Sequence, residues 1–153
     1  MALKEKLLNV MAECSHISRD AYNSEVGYPY VTAAKLNDVV NRALIANRIV
    51  TTAQSKLVDM RVADKNILAT VEVEITLYDV DSDESLTIRG VGSGIDAGDK
   101  SVAKAQTMAV KYAWSKSLLI ADSSDEPDAV NGKIEPLKKS QPVKHSNIFK
   151  APF

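Results

Sequence analysis

The sequence predicts an α+β protein in which an antiparallel three-stranded β-meander packs against a long α-helix, with N-terminal helices before the sheet. Up to about residue 47, apolar residues recur every three or four positions, which is the period of an amphipathic helix. Between residues 49 and 91 the period changes to two, as in strands with one buried face. Residues 98–120 are again helical and largely apolar, so they can cover that face.

The N-terminal third predicts two helices joined by a loop. Over residues 2–16, leucines and a methionine recur at helical spacing between charged residues. Residues 20–30 contain Asn, Ser, Gly and Pro together with three tyrosines, which predicts a structured loop. Thr32 can cap a second helix that ends near Asn47.

Three strands are predicted over residues 49–58, 67–80 and 85–91. In the second of them, valine, isoleucine and leucine alternate with glutamate, threonine and tyrosine, so one face is buried and the other is wet. The connectors at 63–66 and 81–84 are short and polar. Short connectors favour sequential antiparallel pairing, which makes a meander the expected topology.

Composition bounds the class of protein. The chain has 153 residues and a formal net charge of −1, so it is long enough for one domain with a core but is not basic overall. Its one cysteine, Cys14, excludes a disulfide within the chain and a cysteine-based zinc site. No segment approaches the roughly 20 apolar residues of a membrane span. We therefore expect a cytoplasmic protein that has no membrane partner.

A glycine-rich segment precedes the long helix. Gly92, Gly94 and Gly98 predict a turn, with Asp96 as N-cap and Asp99 as its capping-box partner. The unpaired N–H groups of a helix start can receive a phosphate, although such glycines also serve merely to turn the chain. A Walker A loop would place lysine directly after the last glycine, and here Asp99 intervenes, so ATP hydrolysis is not expected.

The long helix carries a row of cations, which we call the lysine stripe: Lys100, Lys104 and Lys111. At 100° per residue they fall within about 40° of one another. Lys116 points roughly the opposite way. The stripe is either a phosphate-binding surface or a solvated face of the helix.

Two motifs in this half of the chain resemble the essential recombination function (ERF) family of phage and prophage single-strand annealing proteins. The first reads Gly92-x-Gly94-x-Asp96-x-x-Asp99-Lys100-x-x-x-Lys104-Ala105-x-Thr107-x-Ala109-x-Lys111-Tyr112-Ala113, and the second reads Asp125-Glu126-Pro127-Asp128. Asn23 and the Tyr28-Pro29-Tyr30 segment are also similar, so the resemblance covers about residues 3–128. Trp114 departs from the family pattern, in which leucine is common at this position.

The resemblance implies an ATP-independent protein that binds single-stranded DNA, assembles into rings or helical filaments and pairs complementary strands. It implies the core fold of the eukaryotic Rad-type annealing proteins, no cofactor, no bound metal and no catalytic residue. Residues 1–128 would form the annealing domain. Residues 129–153 would form a flexible tail rich in proline and lysine, and a candidate docking segment for a host or phage single-strand-binding protein.

Under this hypothesis the DNA contacts are basic side chains and two tyrosines. They are Lys100, Lys104, Lys111 and Arg89 along one phosphate track, Arg61 and Lys65 at a β-hairpin tip, and Tyr28 and Tyr30 as surfaces for base stacking. Charges at a hairpin tip can equally be solvated, and tyrosines that flank a proline can be packing material. The alternatives for the whole chain are a nucleic-acid-binding module without annealing activity, an enzyme that uses Asp96 and Asp99 for a metal, and a structural oligomer component.

Overall fold

A computed structural model of the chain describes residues 1–25 and 27–121, and it confirms the predicted α+β fold. The elements in chain order are α1 (Leu3–Cys14), β1 (Ala21–Asn23), β2 (Tyr28–Tyr30), α2 (Ala33–Ala46), β3 (Ile49–Ala63), β4 (Asn66–Asp79), β5 (Ser85–Asp96) and α3 (Ser101–Ser117). Within the described residues, no helix is long and apolar enough to cross a membrane. The expected tail and the Asp125–Asp128 motif lie outside the described residues.

The segment predicted as a loop before α2 is a small antiparallel hairpin. Strand β1 pairs with β2, with Tyr22 opposite Pro29, and Gly27 adopts a positive φ of 74° in the turn between them. At the base of the hairpin, Asp20 accepts hydrogen bonds from the backbone N–H and the hydroxyl of Thr32, at 2.8 and 2.7 Å. These bonds, the backbone one first, hold the pKa of Asp20 below its ordinary value. Asp20 thus fixes the hairpin to the start of α2.

Helix α2 begins as the sequence predicts. The side-chain oxygen of Thr32 accepts a hydrogen bond from the backbone N–H of Lys35 at 3.1 Å, and the helix ends at Asn47 as its C-cap. Its apolar side packs with α1 and α3 around Leu36, Val40 and Trp114, all of which are buried.

The main sheet is the predicted meander, with strand order β3-β4-β5 and antiparallel pairing throughout. In β4, Val71, Val73, Ile75 and Leu77 are buried beneath the helices, while their neighbours face the other side. We call these two sides the helix face and the open face. Strand β3 extends to Ala63, beyond the predicted end at residue 58, and contains a bulge between Leu57 and Asp59.

The assignment of Gly92 and Gly94 to a turn is wrong, because both lie inside β5. With Gly90 they occupy alternate positions on the helix face, directly beneath α3. A Cβ built on Gly92 would lie 2.3 Å from the backbone nitrogen of Ala109, and Gly90 and Gly94 are equally crowded by backbone atoms. The glycines are there because helix and strand backbones approach one another closely, and no side chain fits between them.

The predicted capping of α3 is also wrong. The N-cap residue is Lys100, without a side-chain hydrogen bond, so neither Asp96 as cap nor Asp99 as capping-box partner is present. Asp96 instead closes the bend that contains Gly98: it accepts a hydrogen bond from the Gly98 N–H at 2.8 Å, and one from Lys104 Nζ at 2.7 Å. Because this carboxylate lies beside the helix start, the backbone N–H groups there are not an open phosphate site.

A cluster of ion pairs attaches α1 to the turn between β4 and β5. The buried ammonium group of Lys6 contacts the carboxylates of Asp79 and Asp81, and Arg48 pairs with Asp81 at 2.9 Å. Hydrogen bonds within the cluster lower the pKa of Asp79, mainly through Lys6, and that of Asp81, mainly through Arg48. They raise the pKa of Lys6, with Asp79 as the largest cause. Much of the acidic run at 79–84 is therefore neutralised locally.

Candidate nucleic-acid interface

The outward side of α3 carries two hollows that share Met108. The first, which we call the hairpin hollow, lies between α3 and the β1–β2 hairpin and has a volume of about 350 Å³. The second, the edge hollow, lies between α3 and the end of β5 and has a volume of about 520 Å³. Both volumes are in the range of small-molecule pockets, and because the hollows meet at Met108 they form one track along the helix.

The hairpin hollow combines aromatic rings with a cation. Tyr28 and Tyr30 stand edge to face, with ring centroids 6.5 Å apart and an interplanar angle of 69°. Lys111 Nζ lies 5.5 Å from the centroid of the Tyr30 ring, within cation–π range. Lys111 is only 5% exposed, so its ammonium group is directed at the ring more than at solvent. Both tyrosines are half-buried and line the hollow, where a planar ring could stack against them.

Lys100 and Lys104 line the edge hollow. Lys104 Nζ donates to Asp96 and, at 3.2 Å, to the carbonyl oxygen of Ile95, so this lysine also ties α3 to the end of β5. Its ammonium group is the main cause of a lowered pKa at Asp96. Lys100 is exposed at the rim of the hollow. The lysine stripe therefore exists on one side of α3, but its members have different environments.

Arg89 does not lie on the same track. In β5 it alternates with Gly90, which faces α3, so Arg89 points to the open face. There it pairs with Glu74 on β4 at 3.0 Å. The expectation of one phosphate track that includes Arg89 is wrong, because β5 continues through the glycines and keeps the alternation of its side chains.

Arg61 and Lys65 lie at the tip of the β3–β4 hairpin, as the sequence predicts. Arg61 donates to Asp59 at 2.7 Å on the open face, and Lys65 is exposed in the turn. The ladders align Arg61 with Leu68 and Leu68 with Ile95. Two strand spacings separate β3 from β5, about 10 Å, so the tip and the edge hollow are at the same end of the sheet.

Sequence reasoning missed Met108, which lines both hollows, and Thr107, which lines the edge hollow. Their positions between Lys104 and Lys111 on α3 were the available signal. It also missed that the hairpin brings the tyrosines onto α3, since that contact joins parts of the chain about 80 residues apart in sequence and leaves no local pattern.

The arrangement suits binding rather than bond making. Exposed ammonium groups attract phosphates, and tyrosine rings can stack on bases. Among residues 1–25 and 27–121, no three His, Cys, Asp or Glu side chains are grouped so that they could hold a metal ion. Cys14 is buried, and burial raises the pKa of its thiol.

The family model described as ERF superfamily matches residues 3–148 of this chain. The matched region includes both resemblance motifs and extends past residue 128 into the segment assigned to the tail. None of the curated proteins compared with the chain matches it.

Proposed function

The chain belongs to the ERF superfamily, and from that premise we propose that it binds single-stranded DNA and anneals complementary strands without ATP. Membership places it among phage proteins of single-strand annealing and recombination. The observation that supports direct DNA contact is the juxtaposition of Tyr28, Tyr30 and Lys111 in one hollow, next to the exposed Lys100. An unpaired strand exposes both bases, which can stack on aromatic rings, and phosphates, which attract cations.

The two hollows would bind different parts of a DNA strand, the edge hollow its phosphates and the hairpin hollow a base. Phosphates would lie along Lys100 and Lys104, and a base would enter the hairpin hollow to stack on Tyr30. A base can do this only when it is not already paired and stacked in a duplex, so the site favours single strands. Lys111 would act on DNA indirectly, because it holds the Tyr30 ring in place. Bases outside the hollow would stay open for trial pairing.

The proposal includes several finer features. Annealing needs no bond-making residue, so we propose that the protein is not an enzyme and takes no cofactor. It would act as a homo-oligomer, a ring or a helical filament, in which neighbouring copies present one strand to another. The segment 129–153 would contact a host or phage single-strand-binding protein, and the site of action would be the bacterial cytoplasm.

The direct test is an annealing assay with two complementary oligonucleotides, one carrying a fluorophore and the other a quencher. We expect the protein to accelerate quenching several-fold over the spontaneous rate in buffer that lacks ATP. Binding without acceleration would identify a nucleic-acid-binding module. An absolute requirement for ATP, or cleavage of the oligonucleotides, would contradict the mechanism.

Two lysines of α3 provide a matched pair of variants. Lys100→Ala should weaken binding of a single-stranded oligonucleotide and reduce the slope of log affinity against log salt by about 0.7, the value for one lost phosphate contact. Lys116→Ala removes the same charge from the other side of the same helix and should leave the slope unchanged. Equal slopes for the two variants would remove the lysine stripe from the binding site.

A further inference from the structure

The sheet has two edge strands, β3 and β5, which have no partner strand on their outer sides within the described residues. Proteins usually protect such edges with prolines, bulges or charges. Strand β5 has neither a proline nor a bulge between Ser85 and Asp96. Its single charged side chain from residue 85 to 95 is Arg89, which pairs with Glu74. A regular, nearly uncharged edge of 12 residues is typical of an edge that another strand covers.

Strand β3 leaves an apolar row uncovered on the helix face. Helix α3 packs against β4 and β5 and does not extend over the distal part of β3. Leu57, Met60 and Val62 follow one another along this side of β3, and they are 49%, 47% and 73% exposed. Three large apolar side chains in a row are more than scattered surface residues, so this face also has a missing partner.

The edge hollow supplies a complementary surface at the opposite edge of the same sheet. It lies on the helix face beside the free edge of β5, and Gly94, Ala103 and Met108 line it. A strand added to the edge of β5 would direct the side chains of its own helix face into this hollow. The uncovered row of β3 meets these requirements, because its side chains are apolar, lie on the helix face and stand at the same end of the sheet as the edge hollow.

We propose that β3 of one copy adds, in parallel, to the free edge of β5 in the next copy, and that its apolar row fills the edge hollow. This inference rests on the homo-oligomer of the proposed function and specifies how it is built. Strands β3 and β5 run in the same direction within the sheet, since both are antiparallel to β4. Copies related by a repeated rotation therefore present them to each other in parallel, which generates a ring or a filament.

The competing arrangement is a two-fold dimer in which β5 pairs with β5. It would cover the edge of β5 but leave Leu57, Met60 and Val62 exposed on both copies. Only the β3–β5 arrangement covers both edges. The 12 residues of β5, at about 3.3 Å each, offer a paired edge about 40 Å long.

The arrangement also brings cations of two copies to the same end of the sheet. The hairpin tip and the edge hollow both lie at this end, so parallel addition places Lys65, in the tip turn of one copy, near Lys100 and Lys104 of the next, whereas Arg61 stays on the open face. The phosphate-binding surface would then be composite, and each copy would contribute to two such surfaces.

The first experiment uses two variants, each blocked at one edge. Leu57→Asp/Met60→Asp places charges on the uncovered row of β3, and Ala103→Glu places one in the edge hollow. All three positions are exposed, so the fold should survive, and thermal melts verify this. We expect assembly of the unmodified protein by mass photometry, monomers of each variant alone, and dimers but nothing larger in an equal mixture.

Three results would overturn the proposal. A mixture that stays monomeric contradicts a head-to-tail interface between these surfaces. Dimers of the β3 variant by itself indicate β5–β5 pairing. An unmodified protein that is monomeric with and without a single-stranded oligonucleotide contradicts both arrangements.

Cysteine cross-linking provides an independent readout. Ser93→Cys on β5 is combined in turn with Gln54→Cys, Lys56→Cys and Asp59→Cys, all on the open face. Within one chain Asp59 is two strand spacings, about 10 Å, from Ser93, and Lys56 and Gln54 are farther away along β3, all too far for a disulfide; adjacent strands are about 5 Å apart. We expect an oxidised ladder of multimers from at least one pair and none from the single variants. No ladder from any pair would contradict the interface.

These outcomes are distinguishable from failure of the proposed DNA function. Cross-linking and mass measurements are made without DNA. An intact assembly that binds no oligonucleotide would therefore support the proposed interface and contradict the proposed DNA site. Conversely, DNA binding by monomers that do not cross-link would support the proposed DNA site and contradict the proposed interface.

Discussion

Gly92 provides the most direct test of how α3 is seated on the sheet. In Gly92→Ala the new methyl carbon would lie 2.3 Å from the nitrogen of Ala109 and 2.7 Å from the carbonyl oxygen of Ala105. Both are backbone atoms of a helix, so neither can rotate away as a side chain could. Ordinary van der Waals contact begins at about 3.4 Å, and α3 would have to move about 1 Å from β5 to restore it.

That displacement would loosen the contacts of Ala105, Ala109 and Ala113, which are fully buried against the sheet. Overpacking of a core costs about 1–3 kcal/mol, and the rigidity of the opposing backbone puts Gly92→Ala near the upper end, about 3 kcal/mol. For a chain of this size, a loss of 1 kcal/mol lowers Tm by roughly 2–4 °C, so the expected decrease is roughly 6–12 °C.

Differential scanning calorimetry measures this decrease, and Gly98→Ala is the matched control. A Cβ at Gly98 would lie 3.3 Å from a carboxylate oxygen of Asp96, a side chain that can yield. The lower entropy of the unfolded chain offsets that crowding, so Tm should stay within about 3 °C. If Gly92→Ala and Gly98→Ala melted alike, the close approach of α3 to β5 would be refuted.

Three further predictions concern charge and stacking. Arg89→Ala should leave both the affinity for a single-stranded oligonucleotide and its salt slope unchanged, because Arg89 faces away from the two hollows; a reduced slope in fluorescence titrations would return it to the site. Tyr30→Ala should lose about 1–3 kcal/mol of binding, about 5- to 150-fold in Kd by fluorescence anisotropy, whereas Tyr30→Phe keeps the stacking surface and should stay within about two-fold. Asp79→Asn should lower Tm near neutral pH. The Lys6 ammonium lowers the pKa of Asp79 in the folded protein. The stability that the ionised Asp79 contributes is therefore present above its unfolded pKa of about 3.9 and is lost as pH falls through the lower folded pKa. The Tm difference between the variant and the wild type should accordingly shrink below about pH 4. A difference that is constant from pH 7 to pH 3 would contradict this.

The fold class could be predicted from sequence because periodicity reports burial directly. The alternation in β4 and the Thr32 cap of α2 are both local signals, and the structure contains both. The glycine segment could not be read in the same way. A glycine that turns the chain and a glycine that admits a helix backbone are identical in sequence, and only the position of α3 distinguishes Gly92 and Gly94 from a turn.

The candidate site was predictable in parts. Helical geometry places Lys100, Lys104 and Lys111 on one side of α3, and the structure keeps that arrangement. It does not foretell that Lys111 is buried against Tyr30, because the β1–β2 hairpin is folded onto α3 by contacts distant in sequence. Arg89 was misplaced for a related reason: the predicted strand ended before the glycines, which hid the face on which its side chain lies.

The contact between the glycines of β5 and the alanines of α3 has a consequence for sequence drift. Enlarging either side forces two main chains apart, whereas shrinking an alanine there removes only one methyl group. Gly90, Gly92 and Gly94 should therefore tolerate almost no substitution, since every other residue is larger, whereas the facing alanines should tolerate replacement by glycine. Relatives that keep this architecture should vary at the flanking exposed positions of β5 but keep glycine at these three positions. The three glycines would then identify the packing of α3 on β5, whichever residues contact DNA.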